Sequence, residues 1–361
     1  MDRRPVTDFR PSYLMFADEV AQAVSGVIAS GRVLQGEYVE RCEAALAELT
    51  GKRYALLFSN GTTAIEALMA QDEGPVGTPT VNFVSVPYVA RRLGREVVLR
   101  PRTRPLSGPM AEAADPLPAG TQRWHVALAG QAGADYVGSV GPEDIEDASQ
   151  CFLTRTPKGM VGTLGRAGVY SFTFNKALTA GEGGCVVTDD AGLHEKLRRY
   201  RDFGRLDRRA VPAERPIDHL GYNHRLSELH AAMLEVQLRH ADEISAHMAG
   251  LHTAYRDQLR RVGLELVTDD YDNHTRAVLR VGDVPGVRQR LRTGFGIATP
   301  TPIMDFSMAE ADWLDGRAEP GWDRLLCLPF WYGLGEEDLA YVADSLAIVL
   351  QASENATGAG T

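Results

Sequence analysis

Amine chemistry has few places to occur in this chain, because only four of its 38 basic residues are lysines: Lys52, Lys158, Lys176 and Lys196. Lys176 has the distinctive setting. It closes the run Ser171-Phe-Thr-Phe-Asn-Lys176, just after a strand-like segment and just before Gly181-Glu-Gly-Gly184. A lysine at a turn is ordinarily a solvated stem and charge, so this one gains chemical meaning only if other groups converge on it. Two segments offer such groups. Ser59-Asn-Gly-Thr-Thr63 sits where an apolar run gives way to a helical pattern, and the unpaired amides of a helix start form an anion site. The Thr63-x-x-Glu66 spacing reads as a capping box. Glu146-Asp-Ala-Ser-Gln150 presents carboxylates at the end of a short apolar approach.

Separately these are a helix start, a turn and a surface lysine. Together they meet the needs of pyridoxal 5′-phosphate (PLP). That cofactor requires an anion site, a lysine to bond its C4′ carbon, an acid to keep the pyridine nitrogen N1 protonated, and an aromatic face. The backbone amides of Thr62 and Thr63 with the Ser171 hydroxyl suit the phosphate, Lys176 suits C4′, Asp147 suits N1, and Phe83 suits the ring face. An anion on N1 keeps the ring an electron sink when Cα–H breaks, and Lys176 is placed to carry that proton between Cα and C4′.

Other common machinery is missing from the sequence. It holds no G-x-x-x-x-G-K-[ST], no G-x-S-x-G, no H-E-x-x-H, and no G-x-G-x-x-G between a strand and a helix. His219, His224 and His230 fall off a common helical face, so no metal site is expected from them.

These residues need elements to hold them. Apolar spacing (Phe16, Val20, Val24, Ile28) predicts a helix over residues 13–30 ending at Gly31, and a second helix is expected over 38–49. Residues 54–58 read as a strand feeding directly into a helix over 62–69. From 81 to 140 the pattern is poor, with candidate strands at 97–99 and 124–128. Strands at 168–172 and 185–188 form an expected hairpin around Lys176. Leu226, Leu229, Met233 and Val236, then Ile244, Met248, Leu251, Tyr255 and Leu259, step through a long helical stretch that contains the expected domain boundary. Residues 1–240 are read as a large domain with an N-terminal helical segment, 241–351 as a smaller one, and 352–361 as a frayed tail. Within the smaller unit, 277–281 reads as a strand, and Leu339, Val342, Leu346 and Val349 mark a last helix.

The composition of the 361 residues, 44% apolar and 24% charged, is that of a globular protein and excludes disorder of its body. A net charge of −10 leaves no cationic excess for neutralising nucleic acid phosphates. Met1-Asp-Arg-Arg-Pro5 has no apolar run behind it, and no window approaches the ~18 apolar residues of a membrane span, so a cytoplasmic location is expected. Cys42, Cys151, Cys185 and Cys327 lie far apart and are expected to be buried free thiols.

In their order, these segments resemble the DegT/DnrJ/EryC1/StrS family of sugar aminotransferases over roughly residues 30–346. The matching pieces are Ser30-Gly-Arg-Val-Leu-Gln-Gly36, Ser59 to Thr63, Glu146 to Gln150, Ser171 to Lys176 with Gly181 to Asp189, Gly221-Tyr-Asn-His-Arg225 through Gln237-Leu238, and Leu328-Pro329. The resemblance implies an α/β, fold-type I PLP-transferase, with a large mixed-sheet α/β domain and a smaller C-terminal α/β domain. It implies that Gln150 bonds the cofactor O3′. It also implies that Asn223 reaches the phosphate in the partner subunit's site, making a homodimer with shared active sites. The implied reaction moves an amino group from glutamate or glutamine to a keto group on a nucleotide-linked deoxysugar or related cyclic polyol, in natural-product or surface-sugar biosynthesis.

Two alternatives stay open. Lys176 sets aside the family's dehydrating branch, which has His there, but not the aromatising dehydratases that keep Lys. A non-catalytic or regulatory homologue is the other. The chain looks shortened between Thr63 and Phe83 and between Gln131 and Glu146, and Gly296-Ile-Ala-Thr-Pro-Thr-Pro302 stands where the family has a His-Tyr-Pro element.

Overall fold

Two amphipathic helices open the chain. The first, α1 (Ala17–Ser30), is led in by a 3-10 turn over Ser12–Phe16 and buries Val20 and Val27. It stops at Gly31, whose φ of +67° is the left-handed cap that a glycine adopts without steric cost. The second, α2 (Glu37–Thr50), buries Val39, Cys42 and Leu46. This is a computed structural model, and it describes residues 6, 10, 12–104, 106, 108–111, 116–205, 220–300 and 321–358.

The apolar β1 (Tyr54–Phe58) follows, then α3 (Gly61–Met69), β2 (Val76–Pro79), α4 (Ser85–Arg92), β3 (Val97–Arg100) and β4 (Gln122–Val126). Next come β5 (Gln131–Ala132), α5 (Ala134–Ser139), β6 (Ile145–Asp147), the two-residue β7 (Arg155–Thr156) and β8 (Gly159–Met160), β9 (Ala167–Ser171), β10 (Gly184–Thr188) and α6 (Ala191–Arg201). Seven of these strands make one mixed sheet in the order β1-β10-β9-β6-β4-β2-β3. Only β10 is antiparallel to its neighbours, and β9 pairs with it from Ser171 opposite Gly184 to Ala167 opposite Thr188, the hairpin expected around Lys176.

Strands covered on both faces need apolar residues on both, and side chains alternate between them. Leu56, Phe58 and Val186 pack with Ile65, Leu68, Val86, Leu193 and Leu197 of α3, α4 and α6 on one face. Leu57, Tyr170 and Val187 pack with Cys42 and Leu46 of α2 on the other. All four cysteines are buried and free, as expected.

The long helical stretch is two helices, α7 (Glu228–Arg239) and α8 (Ala241–Arg261), parted at His240, whose φ of −105° and ψ of 17° leave the helical region. Beyond them lie β11 (Tyr271–Asp272), β12 (Ala277–Arg280), α9 (Val284–Phe295), β13 (Leu325–Leu328) and α10 (Glu336–Gly358). β12 pairs with β13, while β11 reaches back to β5 and ties this region to the large sheet's surroundings. The last helix runs through Ala352 to Gly358. Residues 359–361 lie outside the described residues.

Candidate active site

Four parallel strands, β1, β4, β6 and β9, end at one edge of the sheet, and β10 begins there at Gly184. Ligands of open α/β sheets sit outside such carboxyl ends. A cavity of about 1550 Å³ occupies that edge, and its lining includes Thr62, Thr63, Phe83, Asp147, Gln150, Ser171 and Lys176. Seven of the eight sequence-derived site residues are thereby brought together. Asn223 is not among the lining; it is exposed and bridges to Asp202.

The anion cradle differs in one detail from the sequence expectation. Asn60 Oδ1 accepts the Thr63 amide at 2.9 Å and Thr63 Oγ1 accepts the Asn60 amide at 3.2 Å, so the capping box is Asn60–Thr63 and not Thr63–Glu66. The Thr63 amide is therefore committed to the cap. The amides of Gly61 and Thr62, in the first helical turn, are the donors without an intrahelical partner. Glu66 is instead buried, accepting the Tyr200 hydroxyl at 3.0 Å and pairing with Arg92. Two glycines permit the close packing: a Cβ on Gly61 would sit 3.1 Å from the Ser171 Cβ, and one on Gly184 would collide with the Asn60 carbonyl oxygen.

Strand alternation gives the two adjacent acids of β6 different surroundings. Glu146 faces away from the cavity and accepts the amides of Gly162 (3.0 Å), Leu164 (2.7 Å) and Gly165 (3.2 Å) and the Tyr136 hydroxyl (3.3 Å). Asp147 lines the cavity, and its Oδ1 accepts the Ser149 amide at 3.0 Å. Burial pushes the Asp147 carboxyl up, while Ser149 and the Lys176 charge oppose the shift. A buried carboxylate in that position is stabilised by any cation placed against it. Gln150 Oε1 accepts the Ala129 amide at 2.8 Å, which leaves its NH₂ as the donating end. Phe83 is half-buried against Val81 and Leu128.

Lys176 sits in a turn closed by its own amide on the Thr173 carbonyl at 3.1 Å, and Thr173 Oγ1 donates to Glu182 at 3.2 Å. Burial, with the Arg276 charge second, lowers the Lys176 amine to about 8. Arg276 escaped the sequence reading. It precedes β12, lines the cavity, and donates to the Asn175 carbonyl at 2.7 Å, which sets it beside the lysine turn. Arg92, His224, Arg288 and Arg292 also line the cavity without having been foreseen. Residue type alone could have flagged the three arginines, which come from α4 and α9, whereas His224 lies within the Gly221-Tyr-Asn-His-Arg225 run. His219 lies outside the described residues, as do residues 301–320; Ala298, Thr299 and Pro300 of the departing segment line the cavity.

A sequence profile of the DegT/DnrJ/EryC1/StrS aminotransferase family matches residues 15–100 and 143–286. The chain belongs to this family. The two matched blocks carry α3, β6, β9, β10 and Lys176, and the gap between them falls where the sequence pattern was poorest. The chain is 28% identical to the pleiotropic regulatory protein of Geobacillus stearothermophilus over 373 residues, covering 95% of this chain and 97% of that protein. It is 29% identical to the erythromycin biosynthesis sensory transduction protein EryC1 of Saccharopolyspora erythraea over 271 residues, 72% of each. The crystal structure of DesI determined in the presence of its TDP-sugar product matches with a TM-score of 0.83 at 26% identity, over 99% of this chain and 95% of that one. Helicobacter pylori PseC shares the fold at a TM-score of 0.81 and 21% identity, over 97% of this DegT/DnrJ/EryC1/StrS chain and 100% of its own. By family and fold the protein is an aminotransferase.

Proposed function

We propose that the protein holds PLP in this cavity and moves an amino group from glutamate or glutamine to a keto group on a nucleotide-linked deoxysugar or related cyclic polyol. The observation that carries this reading is the convergence of the α3 start, Ser171, Asp147 and Lys176 on one cavity. The close Gly61–Ser171 approach makes a cradle that a Cβ would fill, which suits a phosphate, and the buried Asp147 suits a pyridinium N–H. Bound there, PLP supplies an aldehyde carbon that exchanges amines and a ring that accepts electron density. The chain supplies the rest. Gly61 and Thr62 amides with the Ser171 hydroxyl hold the phosphate, Phe83 covers the ring, Gln150 donates to O3′, and Asp147 holds the proton on N1. Lys176, its amine lowered to about 8, would bond C4′ and, once displaced from it by the substrate amine, would move a proton at the substrate Cα.

Arg92, Arg276, Arg288 and Arg292 gather on the lining of a protein whose net charge is −10, which favours anionic substrates such as an amino-acid carboxylate and a sugar diphosphate. DesI, solved with a TDP-sugar product, supports the sugar reading. The homodimer is supported by the exposed Asn223 and by the exposed apolar side chains of Leu34, Phe203, Leu220 and Tyr222. Among the described residues no helix is long and apolar enough to cross a membrane, and the cytoplasmic location remains part of this proposal.

The names of two relatives, regulatory and sensory, favour a second reading in which the protein is a regulatory homologue. The half-reaction separates them. Glutamate or glutamine should convert the bound cofactor to its pyridoxamine form, and a keto-sugar nucleotide should convert it back in a single turnover; failure of the first step defeats the catalytic reading, and return by 2-oxo acids alone defeats the sugar acceptor.

A further inference from the structure

Three ligand-bearing side chains meet outside the cavity lining. His252 on α8, Asp272 at the end of β11 and His274 on the segment joining β11 to β12 each bring a ligand atom within 4.8 Å of the other two. His252 Nε2 is 4.0 Å from Asp272 Oδ2, and His274 Nδ1 is 3.9 Å from Asp272 Oδ1. Both nitrogens are buried and have no hydrogen-bond partner, and His252 as a whole is only 3% exposed. A buried imidazole nitrogen left unpaired is costly, and here two of them converge on a carboxylate.

We propose that His252, Asp272 and His274 form a binding site for a zinc-class divalent cation, with a fourth position for water. Two imidazole nitrogens and one carboxylate oxygen are the borderline donor set of zinc, whereas magnesium and calcium take oxygen alone. In a tetrahedral site with arms of ~2.1 Å, ligand atoms lie roughly 3.4 Å apart. The observed separations, 3.9 and 4.0 Å to the two carboxylate oxygens and within 4.8 Å for one ligand atom per residue, close to this spacing by shifts of about 0.5–1.4 Å, within reach of side-chain rotation. The carboxylate is oriented from outside: Asp272 Oδ2 accepts Gln131 Nε2 at 3.4 Å and Oδ1 accepts the His274 amide at 2.6 Å. The Phe330 ring stands edge-on to His252, 6.0 Å between centroids, and walls one side. Arg256 is the cation that opposes a metal here, and Asp269 adds a further anion near Asp272.

Such an ion clamps α8 to a segment that reaches the cavity. Asn273, between two ligands, donates to the Phe152 carbonyl at 2.8 Å and to the Gln150 carbonyl at 3.4 Å, and Arg276 lines the cavity two residues beyond His274. Nothing in this depends on which cofactor fills the cavity.

The test strips the purified full-length protein with a chelator and titrates it with Zn²⁺, then with Co²⁺ as a spectroscopic probe. Wild type should hold one zinc per chain after desalting, give the visible bands of tetrahedral cobalt, and melt at a higher temperature with zinc than without. His252→Gln and His274→Gln should each weaken binding by more than about a hundredfold, since even outer-shell losses cost 10–100-fold, and should lose the zinc-dependent melting shift. Asp272→Asn, the same size, serves if a histidine variant fails to fold. Failure of the wild type to retain zinc overturns the proposal. So does wild-type affinity in the folded variants, which would place the metal elsewhere, such as at the exposed Glu19–His240–Glu243 group.

Discussion

Gly61, at the start of α3, and Ser171, at the end of β9, meet so closely that a Cβ on the glycine would stand 3.1 Å from the serine Cβ and 3.3 Å from its hydroxyl oxygen. The helix amides and the hydroxyl therefore address one point in the cavity. Gly61→Ala must push Ser171 aside, so PLP affinity should fall by about tenfold or more while the fold persists, a loss of one charge-assisted contact. Pyridoxal, which lacks the phosphate, should bind the variant and wild type alike. An equal loss for both ligands in equilibrium dialysis would place the phosphate elsewhere.

Lys176 is predicted to be the cofactor's attachment point, because Lys52 is engaged with Asp189 at 3.1 Å and the cavity lining includes no other lysine. Borohydride reduction and peptide mapping should put the label on Lys176, and Lys176→Ala should carry none; label on Lys52, Lys158 or Lys196 sinks the assignment.

The same lysine sets a pH dependence. Its amine attacks only when neutral, and burial and Arg276 lower it to about 8, so capture of PLP by the cofactor-free protein should accelerate as pH rises and level off above about 8. Arg276→Gln removes a positive charge that disfavours the ammonium form, which raises the lysine's pKa and shifts the midpoint to higher pH. A midpoint that stays or falls in stopped-flow measurements contradicts the Lys176–Arg276 coupling.

Much of this architecture is written in local pattern. The runs 54–58 and 168–172 are apolar enough to declare buried strands, and the motifs beside them ride on their ends. What could not be read was either short or non-local. β2 holds Val76-Gly-Thr-Pro79, too brief and too punctuated to show a period, and the six-residue α5 has the same fault. The cap was misplaced because Thr63 satisfies two motifs at once, and only geometry shows that Asn60 claims its amide. Arg276 and the His252–Asp272–His274 group are assembled across elements, where spacing along the chain carries no information.

Adjacent acids on β6 should respond oppositely to loss of charge. Asp147→Asn keeps the phosphate contacts, so PLP should still bind, but the glutamate half-reaction should slow by about 10²–10³-fold as the N1 partner is lost. Glu146→Gln replaces an acceptor of three amides with a group that presents donors to some of them. It should lower stability by roughly 1–3 kcal/mol in denaturant unfolding, with the half-reaction rate little changed in the folded protein. A normal rate in Asp147→Asn would mean that another residue holds N1.

The last prediction concerns assembly. Asn223 is exposed and absent from its own chain's cavity lining, and apolar Leu220 and Tyr222 beside it are 92% and 51% exposed. If Asn223 completes the partner's phosphate site, Asn223→Ala and Lys176→Ala should each inactivate the homodimer, but mixing them should restore activity. In a mixed dimer one site carries both defects and the other carries neither. Random pairing of equal amounts makes half the dimers mixed with half their sites intact, so activity after joint unfolding and refolding should return to roughly a quarter of wild type by two-fold symmetry. A monomer in sedimentation at assay concentration, or no recovery from demonstrably exchanged subunits when Asn223→Ala alone is inactive, would show that each chain builds its site unaided.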